Sequence, residues 1–220
     1  MKNLLIFVDP LKDFNKEHKV LVEIQLDWCL ETWKPEDIML VTNFPYEYRG
    51  VKATQVEDGC YYPAFSRATK VPVINRLFEE GLINDYFWFH DFDAFQIRPF
   101  PEIRSDWAIT QYGKNTKGSP ENKWNAGSFF FRIQEPFRLI EKVMRDHGID
   151  EEEALTHMFD YGFGKSIYRP EILDIKYNTH IYSPINDVMV AHFHPFKHLN
   201  IFKDILPNKL KEIFKKHGIR

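Results

Sequence analysis

Short apolar runs that stop at a polar residue, separated by helix-length amphipathic segments, constrain this chain more than any other feature. Leu4–Val8 ends in Asp9-Pro10, and Ile38–Thr42 ends in Asn43 with Pro45 close behind. Continuous apolar runs of this length are the pattern of strands buried on both faces, as in a parallel sheet. Between them, Val20–Trp33 carries Leu21, Ile24 and Trp28 on one helical face and Leu26, Leu30 and Trp33 on another, with Pro35 closing it. Strand, helix, strand in that order predicts an α/β fold: a mostly parallel twisted sheet flanked by helices, with right-handed crossovers.

The rest of the chain extends the pattern less regularly. Val51–Glu57 reads as a weaker strand and the aromatic Tyr86–His90 as a central one running into Asp91-Phe92-Asp93. Ala64–Leu82 is helical in composition, with a break expected at Pro72. Trp107–Tyr112 and Ser128–Ile133 are predicted strands, the second entered through Asn125-Ala126-Gly127, with a polar loop over Gly113–Trp124 between them. Glu135–His147 is a helix ended by Gly148, and Asp150 caps another that runs through Phe159 and opens on Glu151-Glu152-Glu153. A last helix, Pro207–His217, sets Leu210, Ile213 and Phe214 against a lysine face. With no repeat or linker in view, residues 1–220 are expected to form one domain.

Composition excludes several classes. At 44% apolar and 28% charged residues the chain is globular. No run approaches the ~18 apolar residues of a membrane span, and Leu4–Val8 is too short for a signal-peptide core. Cys29 and Cys60 form neither a disulfide framework nor a metal-site spacing, which points to a reducing, cytoplasmic setting. The net charge of -3 hides an asymmetry: Lys197–Arg220 holds seven Lys/Arg against two acids, leaving 22 against 30 in the rest. A basic tail on an acidic body suits phosphate, an anionic membrane or nucleic acid, and a solvated helix face is the plainer account. The twenty phenylalanines must be mostly core, although planar rings also stack on sugars and bases.

The chemistry concentrates at the strand ends. Ligands of open α/β sheets bind beyond the carboxyl ends of the strands, and there this chain carries Asp9, Asn43, Asp91 and Asp93. Asp91 and Asp93, two apart on an extended chain, point the same way. Two carboxylates about 5 Å apart at an effective dielectric of ~20 repel by roughly 3 kcal/mol. A hard divalent cation shared with a diphosphate removes that cost.

Four segments, in this order, resemble the GT-A-fold glycosyltransferases that use an Asp-x-Asp motif. Tyr86–Phe95 is similar to the strand that delivers the metal-binding pair, and Asn125-Ala126-Gly127-Ser128-Phe129 to the Asn-(Ser/Ala)-Gly-hydrophobic stretch that follows. Asp150–Thr156 resembles the acidic helix start that comes next, and Ala191–Lys197 the late His…Lys element of glycogenin-like members. The set spans residues 86 to 197. His192–Lys197 departs from that element in lacking a glycine and being one residue shorter, so the choice between His192 and His194 stays open. The short chain looks like a compact version of the kind found in large viruses and phages.

The resemblance implies a single GT-A, Rossmann-like domain, with a nucleotide-binding half over about residues 1–95 and an acceptor and metal-completing half over 96–220. It implies hexosyl or pentosyl transfer from a nucleotide-diphosphate sugar, of the UDP type, to a hydroxyl of a glycan, glycolipid or modified DNA base. Mn²⁺ or Mg²⁺ would be held by Asp93, by Asp91 (shared with the ribose) and by His192 or His194. Lys197 would contact the diphosphate, and Asn125, Ala126 and Gly127 the sugar. Glu153 is the candidate base if the reaction inverts. Topology adds Asp9 and Asn43 for the uracil and ribose, and Arg67 and Lys70 for the diphosphate. Tyr61, Tyr62 and Phe65 either stack on the base or pack.

Two other functions compete. The basic tail and the Lys-containing loop suit transfer to a hydroxymethylated DNA base, against which the overall acidity argues. A non-catalytic nucleotide- or sugar-binding module would bind without metal or turnover. Nucleotidyl transfer wants a Gly-rich phosphate loop, which the stretch after Val8 lacks. The helix Pro207–His217 admits a membrane-surface reading, although its periodicity favours packing on the sheet.

Overall fold

A computed structural model describes residues 1–112, 124–160, 168–181 and 187–219. Most of the polar loop expected over Gly113–Trp124 lies outside the described residues. The chain runs β1 (Lys2–Phe7), α1 (Lys16–Cys29), β2 (Ile38–Thr42), β3 (Glu47–Tyr48), β4 (Val51–Lys52), β5 (Thr54–Gln55) and α2 (Lys70–Glu79). It continues through β6 (Phe87–His90), β7 (Ala94–Gln96), β8 (Trp107–Gln111), β9 (Trp124–Phe131), α3 (Glu135–His147) and α4 (Glu151–Phe159). It closes with β10 (Glu171–Leu173), β11 (Thr179–His180), β12 (Val190–His192), α5 (Pro195–Phe202) and α6 (Asn208–Lys216).

Seven strands form the central sheet in the order β10-β8-β9-β6-β1-β2-β5. Strands β6, β1, β2 and β5 are mutually parallel, so the carboxyl ends of β1, β2 and β6 share one edge. Only β9 runs against its neighbours, between β6 and β8. The sheet is mostly parallel and flanked by helices, as the alternating pattern predicts.

Side-chain alternation explains why β6 is aromatic throughout. Phe87 and Phe89 join a core with Val71, Ile74 and Leu77 of α2, Phe137 and Ile140 of α3, and Leu155 of α4. Trp88 faces the opposite layer beside Ala108 and Phe130. There Leu5 and Leu40 meet Val22 and Leu26 of α1. In α6, Leu210, Ile213 and Phe214 are buried with Ile24 and Trp28 of α1 and with Phe95, Phe193 and Phe202. That face is therefore spent on packing, as the periodicity favours. Among the described residues no helix is long and apolar enough to cross a membrane. Cys29 and Cys60 are free and buried.

Several boundaries differ from the sequence reading for identifiable reasons. Helix α1 starts at Lys16 rather than Val20, because the Asn15 side chain caps it by accepting from the His18 N–H at 2.8 Å. Pro72 does not break α2: it sits in the first turn, where N–H groups have no helical acceptor. Val51–Glu57 is two short strands rather than one. Strand β4 pairs back on β3 through a two-residue turn at Arg49 and Gly50, both left-handed, while β5 joins the main sheet. The Asn125-Ala126-Gly127 stretch lies inside β9, not ahead of it. Phe129 opposes Ile109 and Asn125 opposes Thr110, so Ala126, Gly127 and Ser128 bulge out of the β8–β9 ladder.

Candidate active site

The Asp91 to Ala94 turn leaves β6 at the carboxyl edge of the sheet, closed by the Ala94 N–H donating to the Asp91 carbonyl at 3.0 Å. Strand β7 then pairs antiparallel with β12, which sets Ala94 opposite His192. The Phe193 N–H donates to the Asp93 carbonyl at 2.9 Å. One small sheet thus carries both aspartates' turn and the histidine, although they are a hundred residues apart.

Asp91, Asp93 and His192 each offer a ligand atom, and these atoms lie within 4.8 Å of one another. His192 Nε2 is 3.2 Å from Asp93 Oδ1 and 3.9 Å from Asp91 Oδ2. On the far side of the ring, Nδ1 faces Asn178 Oδ1 at 3.0 Å, while Asn178 Nδ2 donates to the Asn125 carbonyl. Asn178 is fully buried. Its oxygen accepts the Nδ1 proton and turns Nε2 toward the carboxylates, the orientation usual for a histidine that ligates a metal once Nε2 gives up its proton.

His194 lies outside this group. Its Nε2 pairs with Glu17 Oε1 of α1 at 2.8 Å, because β12 ends at His192 and the chain turns into α5. Of the two histidines left open by the sequence, only His192 meets the aspartates.

Charge around the group is sharply divided. Lys70 is buried beneath it, 3.5 Å from Asp91 Oδ1, 2.9 Å from Glu151 Oε1, and donating to the Ala126 carbonyl at 3.0 Å. With His192 neutral, as a metal ligand is, Asp91, Asp93 and Glu151 against one ammonium leave a formal deficit of two positive charges. Burial pushes Asp91 up against the pull of Lys70 and His192. Burial also opposes ionisation of Asp93, but His192 outweighs it and holds the carboxyl down to about 2. On His192, burial opposes the charged form and Asp93 with Asp91 overcomes it.

The β9 bulge is tied to the same group. The Asp91 N–H donates to the Gly127 carbonyl at 2.9 Å. Ala126 is gripped from both sides, its carbonyl by Lys70 and its N–H by Glu152 Oε1 at 2.9 Å. Asn125 is buried, its Oδ1 facing the Gly127 N–H at 3.3 Å. Of the three acids opening α4, Glu151 and Glu152 make these contacts. The Glu153 N–H donates to the capping Asp150 carboxylate at 2.9 Å, and its own carboxylate has no hydrogen bond or ion pair among the described residues. Burial raises Glu152 to about 7, and Tyr112 is held well above its ordinary value by burial and by that carboxylate. The Tyr112 ring packs edge-on against His180, which packs against His192.

A cleft of about 340 Å³ opens along the edge, lined by Asp9, His18, Arg67, Lys70, Asp91, Phe92, Asp93 and His194 among others. Arg67 reaches into it while paired with Asp150. Asp9 stands at its rim, its backbone N–H donating to Asn43 Oδ1 at 3.1 Å. The Asn43 amide donates to the Asp9 carbonyl and to Asp58, so this side chain holds the loop after β1. Lys197 is exposed on the first turn of α5. Tyr62 is buried and donates to the Met144 and Ile149 carbonyls, which makes it a packing residue.

No sequence-family model and no curated protein sequence matches the chain. Solved structures do match it in three dimensions. The glycosyltransferase GlyE of Streptococcus pneumoniae TIGR4 superposes with a TM-score of 0.57 at 10% identity, over 98% of this chain and 64% of that one. The present chain thus spans under two thirds of GlyE. The galactosyltransferase LgtC, crystallised with donor and acceptor sugar analogues, gives 0.59 at 9% identity over 99% and 95% of the two chains. A glycosyltransferase involved in glycosylation of the major capsid of PBCV-1 gives 0.55 at 11% identity over 93% and 98%. At these identities the likeness is one of architecture, and the fold of this chain is that of the GT-A glycosyltransferases.

Proposed function

We propose that this chain is a metal-dependent glycosyltransferase that moves a sugar from a nucleotide-diphosphate sugar, of the UDP type, to a hydroxyl acceptor. The observation that carries the reading is the convergence of Asp91, Asp93 and His192 Nε2 at the carboxyl edge of the sheet, beside a cleft with two cations on its wall. The local charge deficit supports a divalent ion, and a mixed carboxylate and imidazole set suits Mn²⁺ as well as Mg²⁺. Such an ion, when bound, neutralises the charge that develops on a departing diphosphate.

The chain's own groups do the rest. Asn178 fixes the tautomer and the angle of the His192 ring. Lys70 balances Asp91 from below, and Arg67 presents a guanidinium to the cleft. Phe92 and Asp9 at the outer end suit a nucleoside, an apolar face beside a carboxylate that accepts from ribose hydroxyls. Glu152, through the Ala126 N–H, and Asn125 hold the bulge whose backbone borders the sugar position.

Thermal unfolding with UDP-sugars, with and without Mn²⁺, tests the reading. Stabilisation by ligand follows mass action: Mn²⁺ alone should raise the midpoint, and a UDP-sugar should add a further shift only when Mn²⁺ is present. Asp93→Asn should abolish both that shift and turnover while keeping the native circular dichroism spectrum. A shift independent of the ion, or turnover retained in Asp93→Asn, overturns it.

A further inference from the structure

Behind the Asp91–Asp93 turn, on the face of the sheet away from Lys70, lies a buried polar chain that ordinary core packing does not require. Asn3 of β1, Gln25 of α1 and His90 of β6 are each wholly inaccessible to solvent, in a layer that is otherwise aliphatic and aromatic. His90 Nε2 faces Asn3 Oδ1 at 2.9 Å, and Nδ1 faces Gln25 Nε2 at 3.3 Å and the Asp91 carbonyl at 3.1 Å. With the proton on Nε2 for the Asn3 oxygen, Nδ1 accepts from Gln25, and its approach to the Asp91 carbonyl is then a contact rather than a hydrogen bond. The second Gln25 proton goes to the Ala94 carbonyl at 3.2 Å. Asn3 Nδ2 lies 3.5 Å from Cys29 Sγ and ties the far end back to α1. The His90 ring is stacked on Trp88 at 3.9 Å between centroids, so it is locked in plane as well as by its nitrogens.

Ala94 is where this chain meets the metal group. Its N–H closes the turn on the Asp91 carbonyl, its register partner across β7–β12 is His192, and its carbonyl is held by Gln25. Gln25 therefore grips a peptide that, together with the Phe193–Asp93 bond, fixes the spacing between the aspartate turn and the histidine strand. Burying three amide or imidazole groups costs free energy that bonding only partly recovers, since Gln25 Oε1 is buried with no hydrogen-bond partner among the described residues, and a core of the same volume in apolar residues avoids the cost. We propose, building on the metal-dependent reading above, that Gln25, His90 and Asn3 are positioning residues that set the separation of Asp91, Asp93 and His192. They do so through the Ala94 peptide, without touching ion or substrate.

Mn²⁺ affinity of the purified chain, read as free-ion paramagnetic resonance without donor or acceptor, separates this from a general stabilising role. Gln25→Met keeps the volume and removes both donors; it should weaken Mn²⁺ binding about 10- to 100-fold, as loss of an orienting partner does at other metal sites. His90→Phe should do the same, and should it not fold, Gln25→Met alone decides. Leu40→Ala, a cavity in the same layer with no bond to the turn, should lose thermal stability and keep its Mn²⁺ affinity. Wild-type affinity in Gln25→Met overturns the proposal, and so does an equal loss in Leu40→Ala. Failure of the wild-type chain to bind Mn²⁺ overturns instead the metal-dependent reading and takes the proposal with it.

Discussion

The imidazole of His192 occupies the space that a side chain at residue 127 would fill. A Cβ built on Gly127 falls onto the ring, 2.7 Å from Nδ1, and also 3.0 Å from Asp91 Oδ2. The glycine in the bulge is thus demanded by the metal group itself. Gly127→Ala must push the ring off the aspartates, since the opposing atoms are a ring and a carboxylate rather than a flexible chain end. Mn²⁺ affinity and turnover should each fall by more than about tenfold with thermal stability changed by about 1 kcal/mol, the scale of a local overpacking. Calorimetric titration with Mn²⁺ on the folded variant checks it.

His192 and His194 should behave differently despite being two residues apart. His192→Ala removes the nitrogen that faces both aspartates and should abolish measurable Mn²⁺ binding. His194→Ala removes a partner of Glu17 at the surface of α1, worth under about 1 kcal/mol for an exposed pair, and should leave Mn²⁺ affinity as it was. Equal loss in both variants would place the ion elsewhere.

The contrast also shows where the sequence is informative. The ends of β1, β2 and β6 are legible because each is a continuous apolar run cut off by a polar residue, and the parallel sheet then puts Asp9, Asn43 and Asp91 on one edge. His192 is not separable from His194, because β12 is three residues long and its register comes from pairing with β7. Asn178, the residue that orients His192, lies in a single 3-10 turn with no periodicity to mark it. Glu152 and Glu153 are about 100° apart on a helix, and which one meets β9 depends on how α4 docks. Gln25 did leave a signal: it sits between the two apolar faces of this helix, beside Ile24 and Leu26, where an amide needs a buried partner.

Glu152 gives a pH-dependent prediction. Burial raises its carboxyl to about 7, from the ordinary ~4.3 it keeps in the unfolded chain. The folded state therefore holds a proton that the unfolded state has lost, and stability attributable to this group declines from about pH 4 to pH 7 and is level above that. Fully expressed, the difference is about 4 kcal/mol, and partial solvent access reduces it to about 2. Glu152→Gln keeps an oxygen for the Ala126 N–H and does not ionise. It should be more stable than the parent at pH 8 and nearly indistinguishable at pH 4.5, measured by urea unfolding at both.

At the opposite end of the molecule, Asp27 makes the reverse prediction. It is buried on α1, yet accepts from Arg49 at 2.6 Å, Lys216 at 2.8 Å, His217 at 2.9 Å and the Tyr48 hydroxyl at 3.3 Å. One carboxylate thus joins α1, the β3–β4 hairpin and the end of α6. Burial opposes its ionisation, but the bonds from Lys216, His217 and Arg49 prevail and hold it far below the usual carboxylate range. A depressed acid stabilises the fold above its unfolded value of ~3.9 and loses that contribution as pH falls toward the folded value. The contribution is complete by about pH 5 and erodes from about pH 4 downward. Removing a buried member of an ion pair costs ~3–5 kcal/mol where the pair is wholly enclosed. Here the Arg49 and Lys216 side chains are 52% and 58% exposed, so Asp27→Asn should cost about 2 kcal/mol at pH 7. Because α6 packs on Phe95 of β7, two residues after Asp93, and on Phe193, next to His192, its release should be seen first in exchange of the α6 amides. Equal stability of Asp27→Asn and the parent at pH 7 would mean that the apolar face of α6 alone holds it in place.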